Sequence, residues 1–242
     1  LMLYKTQGIV LHNVKYADKK IISKIYTKQF GLISAMINVG NSPKSKIKAG
    51  VLQPLTQIEF ELSLKENKDI QNISEIKCLY VYTDLQSNFN KLCLAQFLNE
   101  ILYKCLKEQF ANEDLFNLIC DTYQWLDSAN DKYQDTHIYF LFELTKHLGF
   151  YPSNNLDSNH LYFDTLEGKY VSEPKSFPLG FDKQQSLLFS KLFSFSLTNP
   201  KLSNRSERLI LLDCLLHYYK MQIPNLTEIK SYLVIQEMIN LM

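Results

Sequence analysis

GLISAMINVGNSPKSKIKAGVLQPLTQIEFELSL, residues 31–64, holds two runs rich in β-branched and aromatic residues (31–39 and 51–64) around a loop with lysine on every second position. Such runs, bounded by Gly and Pro, read as strands. Working outward, YKTQGIVLH (4–12) and IISKIYTK (21–28) precede them, and ISEIKCLYVY (73–82) follows. The links are short and polar: NVKYADKK (13–20), Gln29 and Phe30 before Gly31, the lysine loop itself, and KENKDIQN (65–72). Five short strands with turn-sized connections fit a small closed barrel, in which Pro54 is tolerated at an edge or a bulge. The OB-fold is the commonest barrel of that kind.

After Tyr82 the period changes from two to the helical repeat. Residues 85–110 carry a stripe of Leu94, Leu98, Ile101 and Cys105, with Asp84 placed to cap it. A second helix runs over 113–129 with Trp125, and a third starts after Asp135 and stops at Gly149, the position of a C′ glycine. Residues 150–181, with Pro152, Pro174 and Pro178, interrupt this rhythm and contain a small hairpin at 161–171. Helical pattern resumes at 182–197, 204–221 and 231–240, the middle one carrying Leu209, Leu212, Leu216 and Tyr219 on one stripe. The expected architecture is α+β: an OB-fold domain over 1–82, then a helical domain over 83–242 with an irregular hairpin insert at about 150–181.

The formal charge of +1 over 242 residues conceals an asymmetry. Residues 1–65 hold ten lysines against Asp18, Glu59 and Glu61, a net of +7, and the remainder holds sixteen basic and twenty-two acidic residues, a net of −6. A basic front end attracts polyanions at long range. The five cysteines are odd in number, well separated and set mostly in apolar stretches, which reads as buried reduced thiols. No CxxC or Cys/His pair has ligand spacing, so no metal or cofactor is expected. The chain has no apolar run long enough for a membrane span and no signal-peptide core at LMLYKTQG, so a cytoplasmic location is expected. Phosphate-cradling glycine loops, the GxSxG elbow and HExxH are absent, and His137 and His147 are about 100° out of phase on one helix. The pattern is that of a binding protein and not an enzyme.

Binding features are better represented. In an OB-fold the loops joining strands 1 to 2 and 4 to 5 flank the oligonucleotide face. Here the first carries Lys15, Tyr16, Lys19 and Lys20, continued by Lys24, and the second carries Lys65 and Lys68. Lysines attract phosphates, while Tyr16, and Tyr26 if it is not a core residue, offer faces on which unpaired bases stack at about 1–3 kcal/mol each. In an extended chain Lys44, Lys46 and Lys48 point to one side. They read as a phosphate track continuous with Lys15, Lys19, Lys20 and Lys24.

The same residues resemble a known family. GIVL (8–11), the turn from Thr27 to Gly31, Lys44-Ser45 and LQP (52–54) are similar to the N-terminal pattern of the bacterial RecO recombination mediators. FELTKHLGFYPS (142–153), RLILLDCLLHYY (208–219) and IKSYLVIQEM (229–238) resemble that family's helical landmarks, so the likeness covers nearly the whole chain in order. It implies an OB-fold that binds single- and double-stranded DNA and anneals complementary strands. It also implies a helical domain that contacts the partner RecR and the acidic C-terminal tail of single-stranded DNA-binding protein, helping to load recombinase onto coated strands in the nucleoid. Lys104, Lys107, Lys146, Arg205 and Arg208 are the candidates for meeting that tail's carboxylates. Many members carry a four-cysteine zinc module after the LG.xP landmark, but residues 150–181 hold no cysteine, so zinc is not carried over. The residues alone leave two other readings open, an OB-fold RNA- or tRNA-binding accessory protein and an adaptor whose basic barrel binds acidic peptides.

Overall fold

The computed structural model describes residues 2–40, 47–65, 67–106, 111–176, 178–197 and 204–241. The chain forms two compact units, Leu1–Ser128 and Ala129–Met242. The change of period at Tyr82 thus marks a change of secondary structure, while the first two helices belong with the barrel.

In the first unit, β1 (Met2–Ala17), β2 (Lys20–Thr27), β3 (Gly31–Asn38), β4 (Gln57–Leu64) and β5 (Ile70–Cys78) close into a barrel of order β1-β2-β3-β5-β4. This is an OB-fold. Closure is made by the one parallel pairing, Ser34–Met36 of β3 beside Ile70–Asn72 of β5. Gly8 sits where β1 crosses the interior: a Cβ there would lie 2.5 Å from Ile25 Cγ2 and 2.9 Å from Phe60 Cε1. The Thr27 to Gly31 turn is chemical as well as steric. Thr27 Oγ1 donates to the Gly31 carbonyl at 2.8 Å and accepts from Phe30 N at 2.9 Å, and Gly31 takes φ +66, a value that favours glycine. The barrel is filled by Val10, Ile25, Ile33, Ala35, Ile37, Ile47, Leu52, Ile58, Phe60, Leu62 and Ile73.

The strand expected from residue 51 begins only at Gln57, because Ala49–Leu52 is a 3₁₀ turn and Leu55 has φ +76. Pro54 therefore precedes the strand. The last barrel strand is likewise displaced, running over 70–78 and not 73–82.

Helix α1 (Phe89–Cys105) starts later than residue 85 and is capped by Asn88, whose side chain accepts from Lys91 N. Asp84 serves otherwise: its backbone carbonyl closes the turn onto Ser87 and Asn88, and its carboxylate pairs with buried Lys91 at 2.7 Å. Helix α2 (Glu113–Ser128) supplies the lock on this junction. Asp127 accepts the backbone N–H groups of Thr83, Asp84 and Leu85 and the Tyr80 hydroxyl. Burial pushes its carboxyl up, but these bonds outweigh burial and hold it below the usual carboxylate range. Asn99 of α1 donates to the Leu11 carbonyl at 2.7 Å, tying the helix to β1.

In the second unit, α3 (Thr136–Leu148) ends at Gly149 with φ +85, and it contacts α5 (Arg205–Gln222). Tyr219 donates to the Leu141 carbonyl and Tyr218 to that of Phe150, both at 2.7 Å. The hairpin of β6 (Tyr162–Asp164) and β7 (Lys169–Val171) packs through rings. Phe163 lies 4.6 Å from Phe189, 5.2 Å from Tyr170, 5.4 Å from Tyr218 and 5.5 Å from Phe181. Phe163 and Tyr170 are buried, while Leu161 and Val171 are only partly so. Asp164 fastens the turn by accepting from Leu166 N and Glu167 N and pairing with Lys175. Helix α4 (Lys183–Ser190) opens with a capping box of Asp182 and Gln185 and passes into a 3₁₀ turn at Lys191–Ser194, and α6 (Tyr232–Leu241) follows α5. Among the described residues no group of three or more His, Cys, Asp or Glu is placed to hold a metal ion. No described helix is long and apolar enough to cross a membrane. The five cysteines are unpaired; Cys78 is exposed, against expectation, because β5 ends there.

Candidate nucleic-acid interface

Period-two alternation and the strand register sort the basic side chains by face. Val10 pairs with Ile25 inside the barrel, but the register then shifts, so that His12 pairs with Lys24. This bulge at Leu11 carries His12 to the outer face, where simple alternation would leave it inside with Val10. Three outer rows follow across β1, β2 and β3: His12, Lys24, Ser34; then Val14, Ile22, Met36; then Ala17, Lys20, Asn38. Lys15 pairs with Ile21, on the opposite face, whose next neighbour is the buried Ile37. The expected path is thus divided: Lys20 and Lys24 share the outer face, and Lys15 stands at the barrel mouth.

The outer face has a covered end and an open end. At the covered end Tyr26 is 2% exposed, and its hydroxyl, pushed up to about 12 by burial, donates to the Asn112 carbonyl. Lys28 pairs with Glu113 at 2.8 Å beside it. Tyr26 is therefore core and no stacking platform, because the segment entering α2 lies over it. At the open end Tyr16 is 64% exposed, and Lys15, Lys19 and Lys20 are exposed with it.

The lysine loop springs from that same end. Val39 N donates to the Lys19 carbonyl at 2.9 Å and Gly40 N to that of Ile47 at 3.1 Å, so the loop's two ends meet beside the β1–β2 turn. Lys48 is exposed there; Lys44 and Lys46 lie outside the described residues. Lys65 and Lys68 occupy the opposite end of β3, since Ser34 pairs with Ile70. Their loop is stapled by Gln71, which accepts from Lys65 N and donates to the carbonyls of Lys65 and Lys68. Lys65 is half-buried and Lys68 exposed.

The candidates for an acidic tail are dispersed. Lys104 belongs to α1 of the first unit and pairs with Glu100 at 2.9 Å; Lys107 lies outside the described residues. In the second unit Lys146 pairs with Glu143 at 2.7 Å and sits 4.8 Å from the Tyr151 ring centre, and Arg208 pairs with Asp135. Arg205, the first residue of α5, is exposed. A groove of about 610 Å³ opens beside it, with Lys183 and the Lys191–Glu207 pair around Leu187, Leu188 and Ile210. Sequence reading missed Lys183 and Lys191, which open α4 and the 3₁₀ turn after it.

Residues 2–82 match the family model described as recombination protein O N terminal, and residues 86–227 match recombination protein O C terminal. The chain belongs to the recombination protein O family. Its relatives include proteins named DNA repair protein RecO from Bacteroides fragilis, 33% identical over 98% of this chain and 99% of that one, and from Phocaeicola vulgatus, 31% identical with the same coverage. A third, from Flavobacterium psychrophilum, is 30% identical over 98% of this chain and 99% of its own. The family is one of DNA repair and recombination and is not a known enzyme family. The two recombination protein O segments meet at residues 83–85, the stretch that Asp127 holds through its backbone.

Proposed function

We propose that the chain is a DNA-binding recombination mediator without catalytic activity of its own. The reading rests on one observation: exposed lysines gathered around the open end of an OB barrel in a member of this family. Lys15, Lys19, Lys20 and Lys48, with Lys44 and Lys46, draw phosphates of single- or double-stranded DNA, and Lys65 and Lys68 extend the contact at the other end of β3. Such contacts position a strand and carry no sequence code. By neutralising two strands at once they lower the repulsion between complements, which is the physical basis for annealing.

The second unit takes the acidic C-terminal tail of single-stranded DNA-binding protein, and RecR docks on the chain, so that recombinase is loaded onto coated strands in the cytoplasm. The groove beside Arg205, where exposed Lys183 and the Lys191–Glu207 pair surround three apolar side chains, suits a peptide that ends in apolar residues and brings its carboxylates to Lys183 and Arg205. A salt titration of binding to single- and double-stranded oligonucleotides, paired with an annealing assay, tests the reading. Affinity should fall log-linearly with salt on both forms, with annealing faster than in buffer alone. Absence of DNA binding at low salt would overturn it.

A further inference from the structure

Two rings meet on the outer face that the lysines occupy. His12 of β1 and Tyr103 of α1 lie with centroids 4.6 Å apart and planes 33° from parallel. His12 stands directly across from Lys24, one row from the exposed Val14. Tyr103 is 38% exposed, and it stands one helical turn after Asn99, whose bond to the Leu11 carbonyl fixes the helix at the bulged residue. The bulge and the helix anchor therefore act on the same point and bring the two rings together. Bulges are over-represented at sheet edges, at barrel rims and beside active sites, where they re-aim a side chain.

We infer that His12 and Tyr103 form a base-stacking shelf for single-stranded DNA, with Lys24 as the phosphate contact beside it. This rests on the proposed DNA binding and adds to it a contact with bases, which the lysines alone do not supply. Every base has a π-face, so the shelf takes any unpaired base and no paired one. It gives the outer face a preference for single strands over duplex, in which bases are stacked on each other.

The test compares two strands of equal length and charge, a twelve-residue oligothymidylate and a twelve-residue abasic strand, using the full chain and Tyr103→Leu, Tyr103→Phe and Lys24→Ala. Tyr103→Leu should bind oligothymidylate roughly 5- to 150-fold more weakly, from about 1–3 kcal/mol per stacked base, with no change on the abasic strand and none in salt slope. Tyr103→Phe should keep both affinities. Lys24→Ala should weaken both strands and lower the salt slope by about 0.7. Equal losses on the two strands for Tyr103→Leu would assign the ring to packing and overturn the shelf, as would unchanged binding to both. A parent chain that binds neither strand would instead remove the proposed function itself.

Discussion

The open end of the barrel and the packed faces of the second unit use their cations differently. In the second, Lys146, Lys175, Lys191 and Arg208 each lie against a carboxylate of the same unit. In the first, Lys15, Lys19, Lys20, Lys48 and Lys68 hold no carboxylate partner among the described residues, although Lys5, Lys28 and Lys91 of that unit do. The basic front end is therefore not a general property of its lysines. Lys5, Lys28 and Lys91 are neutralised where they lie, whereas around the open end Lys15, Lys19, Lys20 and Lys48 are left to solvent and to whatever anion arrives.

Breaking a structural charge should cost most. Asp127→Ala removes the acceptor for three backbone N–H groups and should lower stability by about 3 kcal/mol or more, read as a reduced denaturant midpoint. An unchanged midpoint would mean that residues 83–85 are held by something else. Next, Arg208→Met leaves Asp135 largely buried without its partner and should cost about 2–4 kcal/mol, with DNA affinity retained if the second unit's ion pairs serve folding.

Acid should reveal the same division. Asp127 and Asp164 both titrate below the usual carboxylate range. At Asp164, as at Asp127, burial pushes upward and is outweighed, here by Lys175 and two backbone N–H groups. A depressed folded value means that their stabilisation is complete above the unfolded value of about 3.9 and is lost as pH falls from there through the folded value. Thermal melting should therefore be flat near neutrality and drop below about pH 4, and Asp127→Ala should shrink that drop.

The smallest effect on stability should accompany a clear effect on binding. Lys44, Lys46 and Lys48 together changed to alanine should alter stability by less than about 0.5 kcal/mol. If all three meet phosphates, the single-strand salt slope falls by about 2 units. Retention of both affinity and slope would leave the row a solvated loop and confine the DNA contact to the β1–β2 turn and the outer face.

Much of this was legible in the chain. The alternating runs at 4–12, 21–28 and 31–39, the Thr27 to Gly31 turn, the C′ glycine at 149 and the hairpin at 161–171 all follow from local preferences, because strand period, turn chemistry and caps act over a few residues. The sequence by itself also determined that the front end is basic and the fold a barrel followed by helices. Which lysines share a face was a different matter. The Leu11 bulge turns His12 outward and sets Lys24 beside it, while Lys15 faces the mouth, and one inserted residue reverses every later assignment on a strand. Tyr26 and Tyr16 are both strand tyrosines, yet Asn112 closes over the first and nothing described covers the second. Only the tertiary structure decided these, since burial of a side chain depends on a segment 86 residues away that no local pattern encodes.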